Sequence, residues 1–119
     1  MTSFFIRIRP SVSMELGAAS AAEARGDLSS AFVHLQRAHV LGQASTLLHV
    51  AIHWQMLRFA IRHHKPGEAF GQVWRCIGAA VFTAAGLVPS GNTGGSDVNG
   101  FQRMPVAPDL QRLIDAART

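Results

Sequence analysis

Six histidines in 119 residues are the groups best suited to chemistry in this sequence: His34, His39, His49, His53, His63 and His64. A neutral imidazole ring binds borderline metal ions and exchanges protons close to neutral pH. His49 and His53 are four residues apart, so on a helix they lie about 40° from each other and stack a turn apart on one face. That spacing lets one ion reach both rings, for the same geometric reason that it recurs in zinc-binding helices. Val50 follows His49 where a zinc protease would carry its glutamate, so the pair does not make a peptidase motif. His39 lies about 20° round its helix from Phe32 and is expected to point inward with the core stripe. It precedes the turn at Gly42 by three residues, and His49 follows that turn. In an antiparallel hairpin rising about 1.5 Å per residue, the two reach similar levels. His39, His49 and His53 are therefore expected to converge on one point.

His34 is about 140° round from His39 and belongs to that point only if the helix is rotated; His64 lies three turns beyond His53, too far for the same ion. An all-imidazole ligand set suits Zn, Cu, Ni or Fe rather than Mg or Ca. Glu15, Glu23 or Asp97 are candidate carboxylates to complete it. The competing reading makes the histidines structural, each tied to a main-chain carbonyl or to water. A third role, His39 as the general base of a small enzyme, requires an acid partner that the sequence does not identify, so enzymatic activity stays open. His63-His64-Lys65, after Arg62, reads as a basic helix end that complements the helix dipole.

Other motifs carry less. Gly91-Asn92-Thr93-Gly94-Gly95 has the glycines of a phosphate cradle but no Gly-Lys-Ser/Thr ending, and it reads as a tightly turned surface loop with Asn92 and its glycines at positive φ. A second expectation makes it a lid over the histidines, since long loops in small domains are often functional. Cys76, beside Trp74, Ile77 and Val81, reads as an inert buried thiol. Met14, Met56 and Met104 read as packing residues, and Trp54 and Trp74 as indoles buried against other helices. No Gly-x-Ser-x-Gly nucleophile turn is present, and the seven acids are scattered.

The elements that must position these side chains are helical. A first helix is expected from Ser11 or Ser13 to a left-handed stop at Gly26, leaving residues 1–10 as a frayed amino terminus or a short strand at 4–8. Asp27 caps a second helix, with Leu28, Ala31, Phe32, Leu35 and Ala38 at 3–4 spacing, ending at Gly42. A third starts near Ser45 or Thr46, with Leu48, Ile52, Met56 and Phe59 on one stripe and Val50, Trp54 and Ile61 widening it. Pro66 suits the first turn of a fourth, which carries Phe70, Val73, Trp74, Ile77 and Val81 before Gly86. Residues 87–108 read as a long Gly-rich loop, and Asp109 caps a last helix ending at Arg118. The fold class is all-α: a single domain over 1–119 forming a small four- to five-helix bundle. The close hairpin around Gly26-Asp27, with its alanines, resembles one tetratricopeptide unit, without a second copy near 34 residues on.

Composition bounds the function classes. Apolar residues are 48 % and charged residues 15 %, against roughly 25 % charged in ordinary soluble domains, which excludes a disordered chain. Eleven Lys and Arg against seven Asp and Glu give a net charge of +4 without a dense basic cluster, so no nucleic-acid partner is expected. One cysteine excludes a disulfide framework. The longest apolar run, residues 76–88, is short of the ~20 residues of a membrane span, and no secretory signal precedes the first helix, so no membrane contact and a cytoplasmic location are expected. Low charge also leaves apolar surface for a homodimer or a partner protein. That is the basis of an alternative function as a tetratricopeptide-like interaction or dimerisation module with structural histidines.

The string Ala31-Phe32-Val33-His34-Leu35-Gln36-Arg37-Ala38-His39-Val40-Leu41-Gly42-Gln43, followed by His49, His53-Trp54, Gly91-Asn92-Thr93-Gly94-Gly95 and Met104-Pro105-Val106, resembles a bacterial family of short helical proteins, domain of unknown function 3703. The resemblance covers roughly residues 13–114. It implies a compact helical fold and a cytoplasmic bacterial origin, and it transfers no activity. The family pattern includes the positions of His34, His39, His49, His53 and the Gly-Asn-Thr-Gly-Gly loop. It thereby adds His34 as a candidate fourth ligand.

Overall fold

The computed structural model describes residues 3–86, 91–96 and 102–119. Among them the chain forms five helices and no strand: α1 (Ser3–Ala24), α2 (Leu28–Gly42), α3 (Thr46–Arg62), α4 (Pro66–Ala84) and α5 (Pro108–Arg118). Helices α1 and α2 make one hairpin, α3 and α4 a second; α2 packs on α3 to join them, and α5 lies across α1 and α2. This is the expected all-α bundle. Parts of the expected 87–108 loop, residues 87–90 and 97–101, lie outside the described residues, as does Asp97. The described remainder, 91–96 and 102–107, is not helical.

Local chemistry sets most helix ends. Gly26, at φ 79°, makes the left-handed turn that stops α1. Asp27 Oδ1 then accepts the Ser30 amide at 3.1 Å and caps α2. Pro66 opens α4, where its missing N–H costs nothing. Two expectations are corrected. Helix α1 begins at Ser3 rather than at Ser11 or Ser13, with Pro10 inside it, because Phe5, Ile8 and Val12 recur at helical spacing and are all buried. Arg7 Nε donates to Ala117 O at 2.8 Å, tying this first turn to the last carbonyls of α5. Asp109 does not cap α5: its carboxylate pairs with Arg37 instead, and the position before the helix is Ala107.

The core is one apolar cluster centred on Ile8, Val12, Leu41, Ile52, Met56 and Phe59. Buried Ala19, Ala22, Ala31 and Ala38 line the first hairpin. Helix α4 departs from the expected packing. Its apolar residues Phe70, Val73, Trp74, Ile77 and Val81 are exposed, and it buries Gln72, Ala79 and Thr83. Trp54 and Ile61 of α3 are exposed as well, so neither tryptophan is the buried indole expected from sequence.

Gly17 lies in the middle of α1 with nothing within 4 Å of where a Cβ would stand. Gly17→Ala is expected to stabilise the protein by about 0.5–1 kcal/mol, because alanine loses less backbone freedom on entering a helix. Urea unfolding checks this, and an unchanged or lower midpoint would count against a continuous helix at this point.

Candidate metal centre

Three of the histidines meet in the interior. Nε2 of His39 on α2 lies 2.9 Å from Nε2 of His49 and 3.0 Å from Nε2 of His53, both on α3, and those two are 3.1 Å apart. His39 and His53 are 2 % exposed and His49 is 7 % exposed. They form the one group of three metal-capable side chains found among the described residues. The i,i+4 spacing on α3 and the antiparallel crossing at Gly42 bring them together, as the helical angles require.

Each ring is held from behind through Nδ1. His39 Nδ1 donates to the main-chain oxygen of Asn92 at 2.7 Å. His53 Nδ1 donates to Gln72 Oε1 at 2.6 Å. The amide of Gln72 cannot be reversed, because its Nε2 donates to Gly94 O and to Glu68 Oε2, each at 2.8 Å. His49 Nδ1 lies 2.5 Å from Thr83 Oγ1. Carbonyl oxygens only accept, so His39 and His53 carry their protons on Nδ1 and present bare Nε2 lone pairs to each other. A neutral His49 can supply at most one proton to the trio. The 3.0 Å approach of His39 to His53 is then a contact between two acceptors, which is unfavourable without a cation between them.

A proton is a poor candidate for that cation. Burial is the main cause that lowers all three histidines: His39 well below its ordinary value, with the neighbouring imidazoles adding to the effect, His49 to about 3 and His53 to about 4. The hydrogen bonds that His39 and His53 donate to Asn92 and Gln72 pull the other way but are outweighed, and the charge of Arg75 pushes His53 and His39 further down. Three neutral imidazoles with outer-shell acceptors on Nδ1 are the donor set of a transition-metal site. Their Nε2 spacings fall within a few tenths of an ångström of the roughly 3.3 Å edge of a tetrahedron with 2.0–2.1 Å bonds.

The same shifts set a pH dependence for the metal-free chain. The folded pKa values lie below the unfolded value near 6.5, so the unfolded chain takes up protons first as pH falls. Stability that is complete above about pH 6.5 is lost progressively toward pH 4 and 3, by about 2 kcal/mol per histidine at pH 5. Urea titrations of chelator-treated protein at pH 7 and pH 5 should show this loss. Equal midpoints would mean that the rings are not held neutral.

The Gly-rich segment is part of this structure. Gly91, Asn92, Gly94 and Gly95 are buried, so it is not a surface loop. Its polar groups are met from α4: Gly94 O by Gln72, Gly95 O by Arg75 Nη1 at 3.3 Å, and the Ser96 amide by Glu68 Oε2 at 2.9 Å. Asn92 Oδ1 accepts the Gly94 amide at 2.9 Å, and Asn92 itself is not at positive φ. Gly94 is at φ 81°, and a Cβ there would fall 2.5 Å from the His39 ring. The segment thus closes one side of the cluster.

His34 lies apart from the three. Its Nδ1 meets Glu15 Oε2 at 2.7 Å, and Glu15 also accepts from Arg37, in a network between α1, α2 and α5. Glu23 is taken by Arg62 and His63. Neither Glu15 nor Glu23 reaches the cluster, because each is held by cations on a neighbouring helix. Both ring nitrogens of His39 are engaged among the described residues, one on Asn92 O and the other facing two imidazoles. Cys76 is half-buried, and burial raises its thiol pKa, consistent with an unreactive thiol. Sequence reasoning missed Gln72, Thr83 and Asn92. A signal for the first two was present, since positions 72, 76, 79 and 83 form a small and polar line down one face of α4.

No helix of the described residues is long and apolar enough to cross a membrane. No curated protein and no solved structure matches the chain. Residues 6–114 match the model of a family described as protein of unknown function, DUF3703, and the chain belongs to that family.

Proposed function

We propose that this protein binds one transition-metal ion, of the Zn, Cu, Ni or Fe group, through Nε2 of His39, His49 and His53. The observation that carries the reading is the meeting of buried Nε2 lone pairs at 2.9–3.1 Å, with two of the three tautomers set by Asn92 and Gln72. A cation would turn the acceptor–acceptor contact of His39 and His53 into metal–nitrogen bonds. All-nitrogen ligation excludes Mg and Ca as preferred occupants. The chain's own residues orient and dry the site. Gln72, Thr83 and Asn92 aim the rings, and Gly94 packs on His39.

Binding to the folded chain alone stabilises it by mass action, by about 4 kcal/mol at a free metal concentration a thousand times the dissociation constant. The test is thermal unfolding of tag-free, chelator-treated protein with zinc, with copper and with magnesium. The reading expects a rise in midpoint of at least about 8 °C with one of the transition metals and none with magnesium. Identical midpoints under all conditions would overturn it.

A further inference from the structure

A cavity of about 210 Å³ lies where the first turn of α1, the end of α2, Gly91 and α5 meet, and none of the three clustered histidines lines it. Phe4, Val40, Leu41, Val106 and Ile114 supply its apolar walls. A cavity of roughly 150 Å³ with such walls holds benzene, so this one has room for an apolar body of about seven to ten heavy atoms.

Two polar groups on the wall stand without partners. Gln43, the residue that ends α2, is 5 % exposed and lines the cavity. Its Oε1 is the one buried side-chain oxygen or nitrogen without a hydrogen bond among the described residues. An unpaired buried acceptor is unfavourable, and so rare that each case calls for a reason. The last torsion of a glutamine is soft, so a donor placed in the cavity can draw this oxygen towards itself. Arg118 is exposed, stands at the mouth and makes no ion pair among the described residues. Its guanidinium offers the paired N–H groups that fit a carboxylate. Arg7 adds positive charge at the same end, since its Nε holds the carbonyl of Ala117. Gln111, also on the wall, is already engaged with Asp115.

We propose that this cavity binds a small apolar carboxylic acid bearing a hydroxyl group, with the hydroxyl donating to Gln43 Oε1, the body against the apolar walls and the carboxylate on Arg118.

Each part of the ligand answers one observation. The walls require an apolar body, the orphaned oxygen a donor, and the free guanidinium an anion. An amine at the mouth would meet the charges of Arg118 and Arg7, which disfavours cationic ligands.

The test is an NMR titration of isotope-labelled, tag-free chain with 4-hydroxyphenylacetate, with phenylacetate and with 4-methylphenol. The protein is chelator-treated, so no metal ion takes up the carboxylate and the result stands apart from the metal reading. 4-Hydroxyphenylacetate should shift the signals of Gln43, Val106 and Ile114 and saturate with a dissociation constant below about 1 mM. Each probe lacking one polar end should bind at least about fivefold more weakly. Gln43→Leu should weaken 4-hydroxyphenylacetate about tenfold and leave phenylacetate unchanged. The same variant should keep or raise the unfolding midpoint, because it removes an unpaired amide from the interior; a Gln43 that serves only the fold would lower it. Arg118→Gln should weaken both acids and spare 4-methylphenol. Ala44→Phe, at an exposed position on the rim, should block all three probes. No saturable shift at these residues up to about 10 mM, equal affinity for the three probes, or binding indifferent to Gln43→Leu and Ala44→Phe would overturn the proposal.

Discussion

The double variant His49→Ala/His53→Ala is expected to bind no metal under conditions where the wild type holds one ion per chain. Removing two of three ligands leaves His39 alone, and a single imidazole on a protein does not retain a first-row ion through gel filtration. The expected loss of affinity is at least about 10⁴-fold. His34→Ala is the matched control: that ring is engaged by Glu15 on the far side of α2, so its removal should leave metal content unchanged. Elemental analysis of the three proteins, purified identically and without a histidine tag, reads the result. Stoichiometric metal in the double variant, or its loss in His34→Ala, would move the site elsewhere.

The second large effect is expected at Gly94, which is far in sequence from the three histidines. Gly94→Ala forces a side chain into a left-handed backbone conformation at φ 81° and places its Cβ 2.5 Å from His39 Cδ2. The His39 ring cannot give way freely, because Asn92 O holds one nitrogen and the other must meet His49 and His53. Either the 91–96 segment lifts, breaking the Gln72–Gly94 bond that orients His53, or the ring rotates out of the trio. Both outcomes cost about 2–4 kcal/mol of stability and roughly 10–100-fold in metal affinity. Gly17→Ala is the internal comparison, being the same substitution with the opposite expected sign. A Gly94→Ala protein with wild-type unfolding midpoint and metal affinity would show that the segment does not press on His39.

Much of this arrangement was legible from residue spacing. Asp27, Gly42, Ser45 and Pro66 punctuate the chain where the helices begin and end. The angular positions of His39, His49 and His53 pointed to one place. Two features were not legible for definite reasons. The start of α1 was expected at the capping residues Ser11 or Ser13, although Phe5, Ile8 and Val12 already follow a helical repeat and Pro10 is tolerated inside the helix. Helix α4 was read with its apolar stripe inward, because removing apolar surface from water is the strongest force driving an isolated domain to fold. Here the stripe faces outward, since the inner face must satisfy two imidazole Nδ1 atoms. A helix that turns Gln72 and Thr83 to the interior and Phe70 and Trp74 to the exterior breaks local patterning rules, and such breaks concentrate at functional sites. The carboxylates proposed from sequence failed for a simpler reason: Glu15 and Glu23 each face cations on a neighbouring helix, and those pairings depend on tertiary packing that spacing does not encode.

X-ray absorption of the tag-free protein loaded with zinc or copper tests the central claim most directly. Three imidazole nitrogens at about 2.0–2.1 Å are expected, with the multiple-scattering pattern of histidine rings, on one ion per chain. An oxygen-dominated shell, or protein that leaves a desalting column free of either metal, would contradict the assignment of His39, His49 and His53 as a metal site.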